Sequence, residues 1–322
     1  MAELAPGLVT IFGGSGFVGA QVARAMARRG WRVRIAVRRP ALAHELRMAG
    51  DVGQVQLTRC DINKKEEVAE ALIGADVAIN LVGILAETGR RKFDALHVEG
   101  SYNIAEAAAA AGVKQLVQMS AIGADADSKA DYARTKGEAE IVVRQLFPQA
   151  VIVRPSIIFG MEDNFLNRFA AMATRSPFLP LIGGGETRIQ PVSVGDVAEA
   201  VAVAATRTDA AGETYELGGP AVWTMKELMA YILRETGRDR FLLPLPFPVA
   251  RMIGAVAQIP AAIGLNPVLT VDQVNMLETD NVVAEGAKGL ADLGIEPTGV
   301  QAVAKGYLWR YRVGGQYAEI EA

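Results

Sequence analysis

Over its first half this chain alternates two periodicities, and that alternation limits its fold more than any other feature. Short apolar runs read as strands: "GLVTIFGG", "WRVRIAVR", "VQLTRCD", "DVAINLVG", "QLVQMSA" and "AVIVRP". Amphipathic stretches between them read as helices, among them "FVGAQVARAMARRG", "EEVAEALIGA" and "SYNIAEAAAAAG". Strands separated by helices cannot pair as tight hairpins. Each helix must carry the chain back across the sheet, which leaves the strands parallel with helices on both faces. The expected fold class is α/β, a doubly wound parallel sheet of Rossmann type. After Pro155 proline and glycine punctuate the chain, one more helix follows in "SVGDVAEAVAVAA", and "ETYELGG" reads as a last strand. From about Pro220 the signals are helical with proline-rich breaks, notably "LLPLPFPVA". The expected division is a dinucleotide-binding domain at 1–220, with 159–190 contributing to a second lobe, and a smaller, mainly helical docking or substrate lobe at 221–322.

The first strand runs into glycines. Gly13, Gly16 and Gly19 stand at G-x-x-G-x-x-G spacing between a strand and a helix. Such a turn needs Gly13 for its tightness, Gly16 so that backbone N–H groups approach a pyrophosphate, and Gly19 so that helix and strand pack closely. Ser15, Phe17 and Val18 complete this candidate anion cradle. The second strand ends in Arg38-Arg39-Pro40, where an NAD site would carry an acidic residue for the ribose hydroxyls. Arginine there suits a 2′-phosphate, so NADPH is the expected cofactor. Asp61, with Ile62, follows the third strand. Its carboxylate could accept from an adenine amino group, or it could belong to a local turn in which Asn63 and Glu66 form a capping box. Leu81, Val82 and Gly83 end the fourth strand, where the backbone would pass the cofactor ribose. Pro155, Ile157 and Ile158 complete the candidate cofactor contacts.

Several function classes are disfavoured. Apolar residues make up 51% and charged residues 21%, which supports a packed core, and a net charge of −3 does not suit a general nucleic-acid binder. One cysteine, Cys60, allows no internal disulfide, and with His44 and His97 it makes no metal cluster. The start "MAELAPGLVTIFGG" lacks the pattern of a secretory signal. The segment from Met252 to Val271 has no charge over twenty residues, long enough to span a bilayer, but Pro260 and Pro267 would break a lone span. It is expected to form buried helices of the second lobe, with a membrane or partner contact next in order.

Tyr132 and Lys136 stand four apart, on one face of a helix. A neighbouring ammonium is expected to lower the tyrosine pKa and to hold the nicotinamide ribose. With Gly13-x-x-Gly16-x-x-Gly19, Arg154-Pro155-Ser156, Phe159-Gly160 and Pro191-Val192-x-Val194-x-Asp196-Val197, this pair resembles the extended or atypical short-chain dehydrogenase/reductase superfamily over most of residues 8–218. Further motifs extend the likeness to nearly the whole chain: "VIVRPSIIFGMEDNFLNRFA", "TVDQVNMLETDNVV", "LADLGIEPT" and the tail "YLWRYRVGGQYAEIEA". Together these resemble the NADPH-binding, dehydrogenase-like accessory subunit of respiratory complex I (NADH:ubiquinone oxidoreductase), bacterial relatives included. That resemblance implies tight NADPH binding without established turnover. It also implies complex I subunits near the quinone-reducing arm as partners and a peripheral place on the cytoplasmic side of the inner (plasma) membrane.

The catalytic set departs from the superfamily pattern. The hydroxyl that polarises a substrate carbonyl usually stands one or two places beyond Ser120, where this chain has Ala121 and Ile122. An asparagine motif before the fifth strand is replaced by His97-Val98-Glu99-Gly100-Ser101. Ser120, Tyr132 and Lys136 are the candidate catalytic residues, expected to survive as a cofactor clamp. The alternatives are a soluble NADP-dependent reductase or epimerase with Tyr132 as general acid/base, and a dinucleotide-sensing regulator.

Overall fold

The computed structural model describes residues 2–89, 91–259, 267 and 269–317. It begins with β1 (Leu8–Phe12), buried almost throughout, which passes through the glycine turn into α1 (Phe17–Arg28). Then come β2 (Arg32–Val37), β3 (Val55–Arg59), α2 (Lys65–Leu72), β4 (Val77–Asn80), α3 (Gly100–Ala110), β5 (Gln115–Met119), α4 (Asp131–Leu146) and β6 (Val151–Pro155). The chain goes on through β7 (Ile158–Phe159), α5 (Leu166–Arg175), β8 (Phe178–Ile182), β9 (Arg188–Ile189), β10 (Val192–Ser193), α6 (Val194–Thr206) and β11 (Thr214–Leu217). Its last elements are β12 (Trp223–Thr224), α7 (Met225–Thr236), β13 (Phe241–Leu245), α8 (Phe247–Ala257), α9 (Val271–Met276) and α10 (Val300–Leu308).

The central sheet has seven strands in the order β11-β6-β5-β4-β1-β2-β3, and every pairing is parallel. All seven strands read from the sequence form it. The order reverses at β1, which pairs with β2 through Phe12↔Ala36 and with β4 through Phe12↔Asn80. At such a switch point the loops on either side diverge and leave a crevice beyond the strand ends. Two apolar layers sandwich the sheet. One joins α1, α6 and residues such as Val9, Ile11 and Val201, and the other joins α2, α3 and residues such as Phe12, Leu72 and Ile104.

A third cluster joins Phe159, Leu166 and Leu181 to Met225, Tyr231, Tyr307 and Leu308. Within it α7 is stopped at both ends by its sequence. Thr224 and Glu227 form a capping box, and Gly237 takes a left-handed conformation (φ 59°) that a side chain would strain. The "LLPLPFPVA" break contains a strand, which sequence reading did not anticipate: β13 pairs in parallel with β8 from Phe241↔Phe178 to Leu245↔Ile182. Proline is tolerated because this is a two-stranded edge, where one missing N–H costs no central ladder.

The expectation of buried helices in Met252–Val271 is also corrected. In α8 only Ala250 and Gly254 are buried, while Met252 is 71% and Val256 67% exposed, and Ile259 just beyond the helix 66%. The helix is amphipathic, but its broader apolar face points outward. Residues 260–266 and 268 of that segment lie outside the described residues. Among the described residues no helix is long and apolar enough to cross a membrane. The segment from Asn281 to Thr298 returns to the first sheet. Glu216 N–H donates to the Lys288 carbonyl (2.8 Å), and Leu290 and Leu293 join the α1–α6 layer.

Candidate functional site

The glycine turn is shaped as its spacing requires. Gly13 has φ 78°, and its carbonyl accepts Gly16 N–H at 3.0 Å. A Cβ on Gly19 would collide with the Gly13 carbonyl and Gly14, so this position must be bare for helix and turn to meet. At Gly16 a Cβ would meet one atom, the Gly13 carbonyl, at 3.4 Å, so its outer side is open. Gly16 is the N-cap of α1 and provides no side-chain cap. The first-turn N–H groups of Phe17, Val18 and Gly19 therefore have no intrahelical acceptor, at the positive end of the helix dipole. Ser15 is exposed beside them. This cradle fits a pyrophosphate.

Arg38 and Arg39 follow β2 directly and are exposed, and among the described residues neither has an acidic partner. Beside them, Asp61 makes the local turn: its carboxylate accepts Asn63 N–H (3.2 Å). The expected Asn63–Glu66 capping box does not form. Lys64 is the N-cap of α2, and Glu67, one turn into the helix, reaches back to Asp61 N–H at 2.8 Å. Ile62 is buried against Gly100 of α3 and is held by Asn103, which donates to its carbonyl at 2.8 Å. On the other side of β1, Leu81–Gly83 pass so close to Gly13 that a Cβ there would stand 3.1 Å from the Leu81 carbonyl carbon and Val82 N.

Lys136 and His97 gather around Gly83. A Cβ on Gly83 would lie 3.2 Å from Lys136 Nζ and 3.6 Å from His97 Nε2, so glycine makes room for both. Lys136 donates to the Met119 carbonyl at 3.2 Å. Burial lowers its pKa to about 8, with the Glu140 carboxylate opposing the shift. Ser120, next along, is 3% exposed and its hydroxyl has no partner among the described residues. An orphaned buried hydroxyl one residue beyond the carbonyl that Lys136 meets fits a polar ligand. Pro155 ends β6 and accepts Ile122 N–H (3.1 Å), and Ile157 and Ile158 follow, half-buried.

His97 was read from sequence only as a missing asparagine. It sits on a wide helical turn, Asp94–Glu99, that runs into α3. Its Nε2 accepts Ile84 N–H (3.1 Å), which leaves the proton on Nδ1, facing Thr135 Oγ1 at 2.9 Å. Thr135 in turn donates to the Asp131 carbonyl (2.8 Å). Burial, with the Lys136 charge adding to it, pushes the His97 pKa down to about 2, so the ring is neutral and locked in one tautomer.

The Tyr132 ring packs edge-on against His97 and Phe93, with centroids 5.6 and 6.0 Å away. The expected fall in its pKa is reversed. Burial, reinforced by the Asp272 charge, raises it to about 12. The helical spacing does put Tyr132 and Lys136 on one face, but the desolvated ammonium points to Met119 and Gly83, and the charge that acts on the phenol is the Asp272 carboxylate.

In the sequence Asp272 stands only within the "TVDQVNMLETDNVV" motif, with no role of its own. It lies in the first turn of α9, which opens on a Thr270–Gln273 capping box. Its carboxylate accepts the N–H groups of Asp131 (2.6 Å) and Tyr132 (3.2 Å) at the head of α4. A cleft of about 500 Å³ opens there, lined by Glu87, Phe93, Asp131, Gln258, Thr270 and Asp272.

A parallel sheet with a glycine-turned pyrophosphate cradle and a Tyr132–Lys136 helix defines a dinucleotide-binding protein of the short-chain dehydrogenase type. The chain belongs to the NAD dependent epimerase/dehydratase family, whose sequence model matches residues 9–218. It is 34% identical, over 96% of its length and 79% of the relative's, to "NADH dehydrogenase [ubiquinone] 1 alpha subcomplex subunit 9, mitochondrial" of Arabidopsis thaliana. The Rattus norvegicus protein of the same name is 35% identical, over 95% of this chain and 80% of its own. A "Ceramide reductase" of Caulobacter vibrioides is 32% identical over 80% of this chain and 79% of its own. Among solved structures, Citrobacter sp. triphenylmethane reductase complexed with NADP(H) shares the fold, with a TM-score of 0.72 at 21% identity over 93% of this chain and 99% of that one.

Proposed function

We propose that this chain is an NADPH-holding accessory subunit of NADH:ubiquinone oxidoreductase, structural in role, with no turnover of its own. The observation that carries the non-catalytic reading is the surroundings of the Tyr132 phenol. Burial, reinforced by the Asp272 charge at the head of α4, raises its pKa to about 12, whereas proton transfer near neutral pH works best with a group that titrates there. The near full-length likeness to two mitochondrial complex I subunits supports the assignment. In this reading Gly13, Ser15, Gly16, Phe17, Val18 and Gly19 hold the pyrophosphate, and Arg38 and Arg39 hold the 2′-phosphate. Asp61 and Ile62 flank the adenine. Leu81, Val82, Gly83 and Lys136 take the nicotinamide ribose, with Ser120, Tyr132, Pro155, Ile157 and Ile158 around the ring.

The elements after residue 220, with 159–190, form the docking unit, and the exposed face of α8 is its contact. The proposed partners are complex I subunits near the quinone-binding arm. The proposed place is the cytoplasmic side of a bacterial inner membrane, held peripherally. Purification of the tagged chain in mild detergent tests the assignment. Co-elution with NADH:ubiquinone oxidoreductase activity and stoichiometric bound NADPH is the expected result, and a free monomer in cells that contain the complex refutes it.

One observation favours a second reading, an NADP-dependent reductase: Tyr132 packs edge-on against Phe93, which also lines the cleft. The Caulobacter relative points the same way. NADPH oxidation driven by an apolar carbonyl compound, and lost in Tyr132→Phe, would establish it.

A further inference from the structure

We propose that Asp272 is a positioning residue that links the outward-facing helix α8 to the cofactor clamp, so that dinucleotide binding and the seating of α8 reinforce each other. This rests on the dinucleotide reading of the Lys136 site.

Helix α4 carries Tyr132 and Lys136 but starts without a cap from its own segment: its N-cap is Ala130, and Asp131 is turned toward Arg134. The carboxylate that serves the first N–H groups comes from 140 residues further on, as Asp272 accepts from both Asp131 and Tyr132. A capping carboxylate opposes the partial positive charge at a helix start and holds the first turn in register. Lys136 stands one turn in, so the same bonds set where its ammonium lies against Gly83. Gln273 adds a second tie, donating to the Leu85 carbonyl at 3.4 Å in the loop that follows Gly83.

At its other side α9 is fastened to α8. A Cβ on Gly254 would stand 3.0 Å from the Thr270 carbonyl carbon and Val271 N, so the two helices touch backbone to backbone. Arg251 donates to Asn275 Oδ1 at 3.0 Å and pairs with Glu278. Among the described residues the apolar cluster beneath the two helices has three buried members, Ile182, Ala250 and Val274, with Phe247, Leu269 and Leu277 packed partly buried against them. Among the described residues the α8–α9 pair bears on the head of α4 and the loop after Gly83 through Asp272 and Gln273. Order imposed on α4 by a ligand at Lys136 passes to α8 by this route, and contact at α8 returns along it, since such coupling is reciprocal.

Hydrogen exchange on the full-length protein, with and without NADPH, tests the link. In the unsubstituted chain NADPH should slow exchange in the glycine turn 13–19, in 131–136, and also in 247–257 and 271–276. In Asp272→Ala, NADPH affinity should fall about fivefold, the equivalent of a lost helix cap. Protection of 13–19 should persist while that of 247–257 and 271–276 disappears. Asp272→Asn, which keeps an acceptor oxygen, should restore part of it. A merely structural Asp272 would weaken every region together. Protection of 13–19 without any change at 271–276 in the unsubstituted chain overturns the link, as does full protection there in Asp272→Ala. Failure of the unsubstituted chain to bind NADPH overturns the dinucleotide reading itself.

Discussion

Lys136 and the arginines after β2 make the residue-level predictions. Burial sets the Lys136 pKa at about 8, below its ordinary 10.5. In the free protein the folded chain releases this proton while the unfolded chain still holds it. Lys136 therefore adds stability as pH rises from about 8 to 10.5. His97 is neutral across this window, and Tyr132 keeps its proton to about 12. An anionic dinucleotide favours the ammonium, so NADPH binding should take up a proton near pH 8 to 9 and weaken as pH rises further. Calorimetry in buffers of different ionisation heat should detect that uptake, and Lys136→Met should abolish it. In the proposed reading Arg38 and Arg39, which have no acidic partner among the described residues, grip a 2′-phosphate. A charge-assisted hydrogen bond is worth roughly 1.5–3 kcal/mol, so each arginine-to-alanine change should cost NADPH affinity at least about tenfold. NADH affinity should hardly move. Equal binding of the two nucleotides by the unsubstituted chain would refute the preference.

Two elements carry their own expectations. Helix α10 is tied to the turn before α5 by Tyr307, which donates to Asp163 Oδ2 at 2.6 Å. Asp163 is 3% exposed and also accepts the N–H groups of Gly160, Phe165 and Asn167. Tyr307→Phe leaves a buried carboxylate with one donor fewer and should cost about 1–3 kcal/mol in urea unfolding. An unchanged midpoint would show that the bond adds nothing. Helix α8 makes the opposite case, since little of it is buried. Met252→Glu with Val256→Glu removes no core packing and should leave the thermal midpoint and the NADPH affinity of the free, undocked protein in place. The pair should still release the protein into the soluble fraction, because apolar contact is worth about 25 cal/mol per Å² and a buried charge costs more than it replaces. Retention on the membrane in the double variant would remove α8 from the docking surface. Arg312 donates to the Glu235 carbonyl (2.7 Å) and lies near its carboxylate, and Tyr311 donates to Asn167, so these two residues fasten the chain after α10 to α7 and α5.

In the molecule as a whole, the stretch that matches the family model does not stand alone. The model match ends at residue 218, yet β11, the edge strand, is covered by the returning segment. Glu216 accepts Ala284 N–H (2.9 Å), Asp196 accepts Thr298 N–H (2.6 Å), and Leu290 and Leu293 fill the α1–α6 layer. A chain ended at residue 218 would uncover that layer and leave β11 unpaired on one side. It should be recovered as aggregate, or unfold without a cooperative transition, where the full chain shows one. A soluble, cooperatively folded fragment that binds NADPH would show that the returning segment is dispensable.

How much was legible follows from the range of each interaction. The seven parallel strands could be read because burial on a sheet imposes a pattern within six residues of chain. The glycine turn could be read because Gly13 and Gly19 answer to backbone collisions within a few residues of themselves. The Tyr132–Lys136 pair was legible as spacing, but its electrostatics were not. The sign of the Tyr132 shift is set by burial of the phenol, and Asp272, far along the chain, adds to it. His97 had a sequence signal, a substituted position, but its locked tautomer needed Ile84 and Thr135 to be brought together. In β13, prolines that read as breaks became an edge strand because β8 lay alongside. The apolar run of α8 told the same story from either side of the surface, since hydropathy records what a residue avoids and says nothing of what covers it. Local patterns are written in neighbouring residues. Charge, burial and partnership arise between residues that only folding makes neighbours.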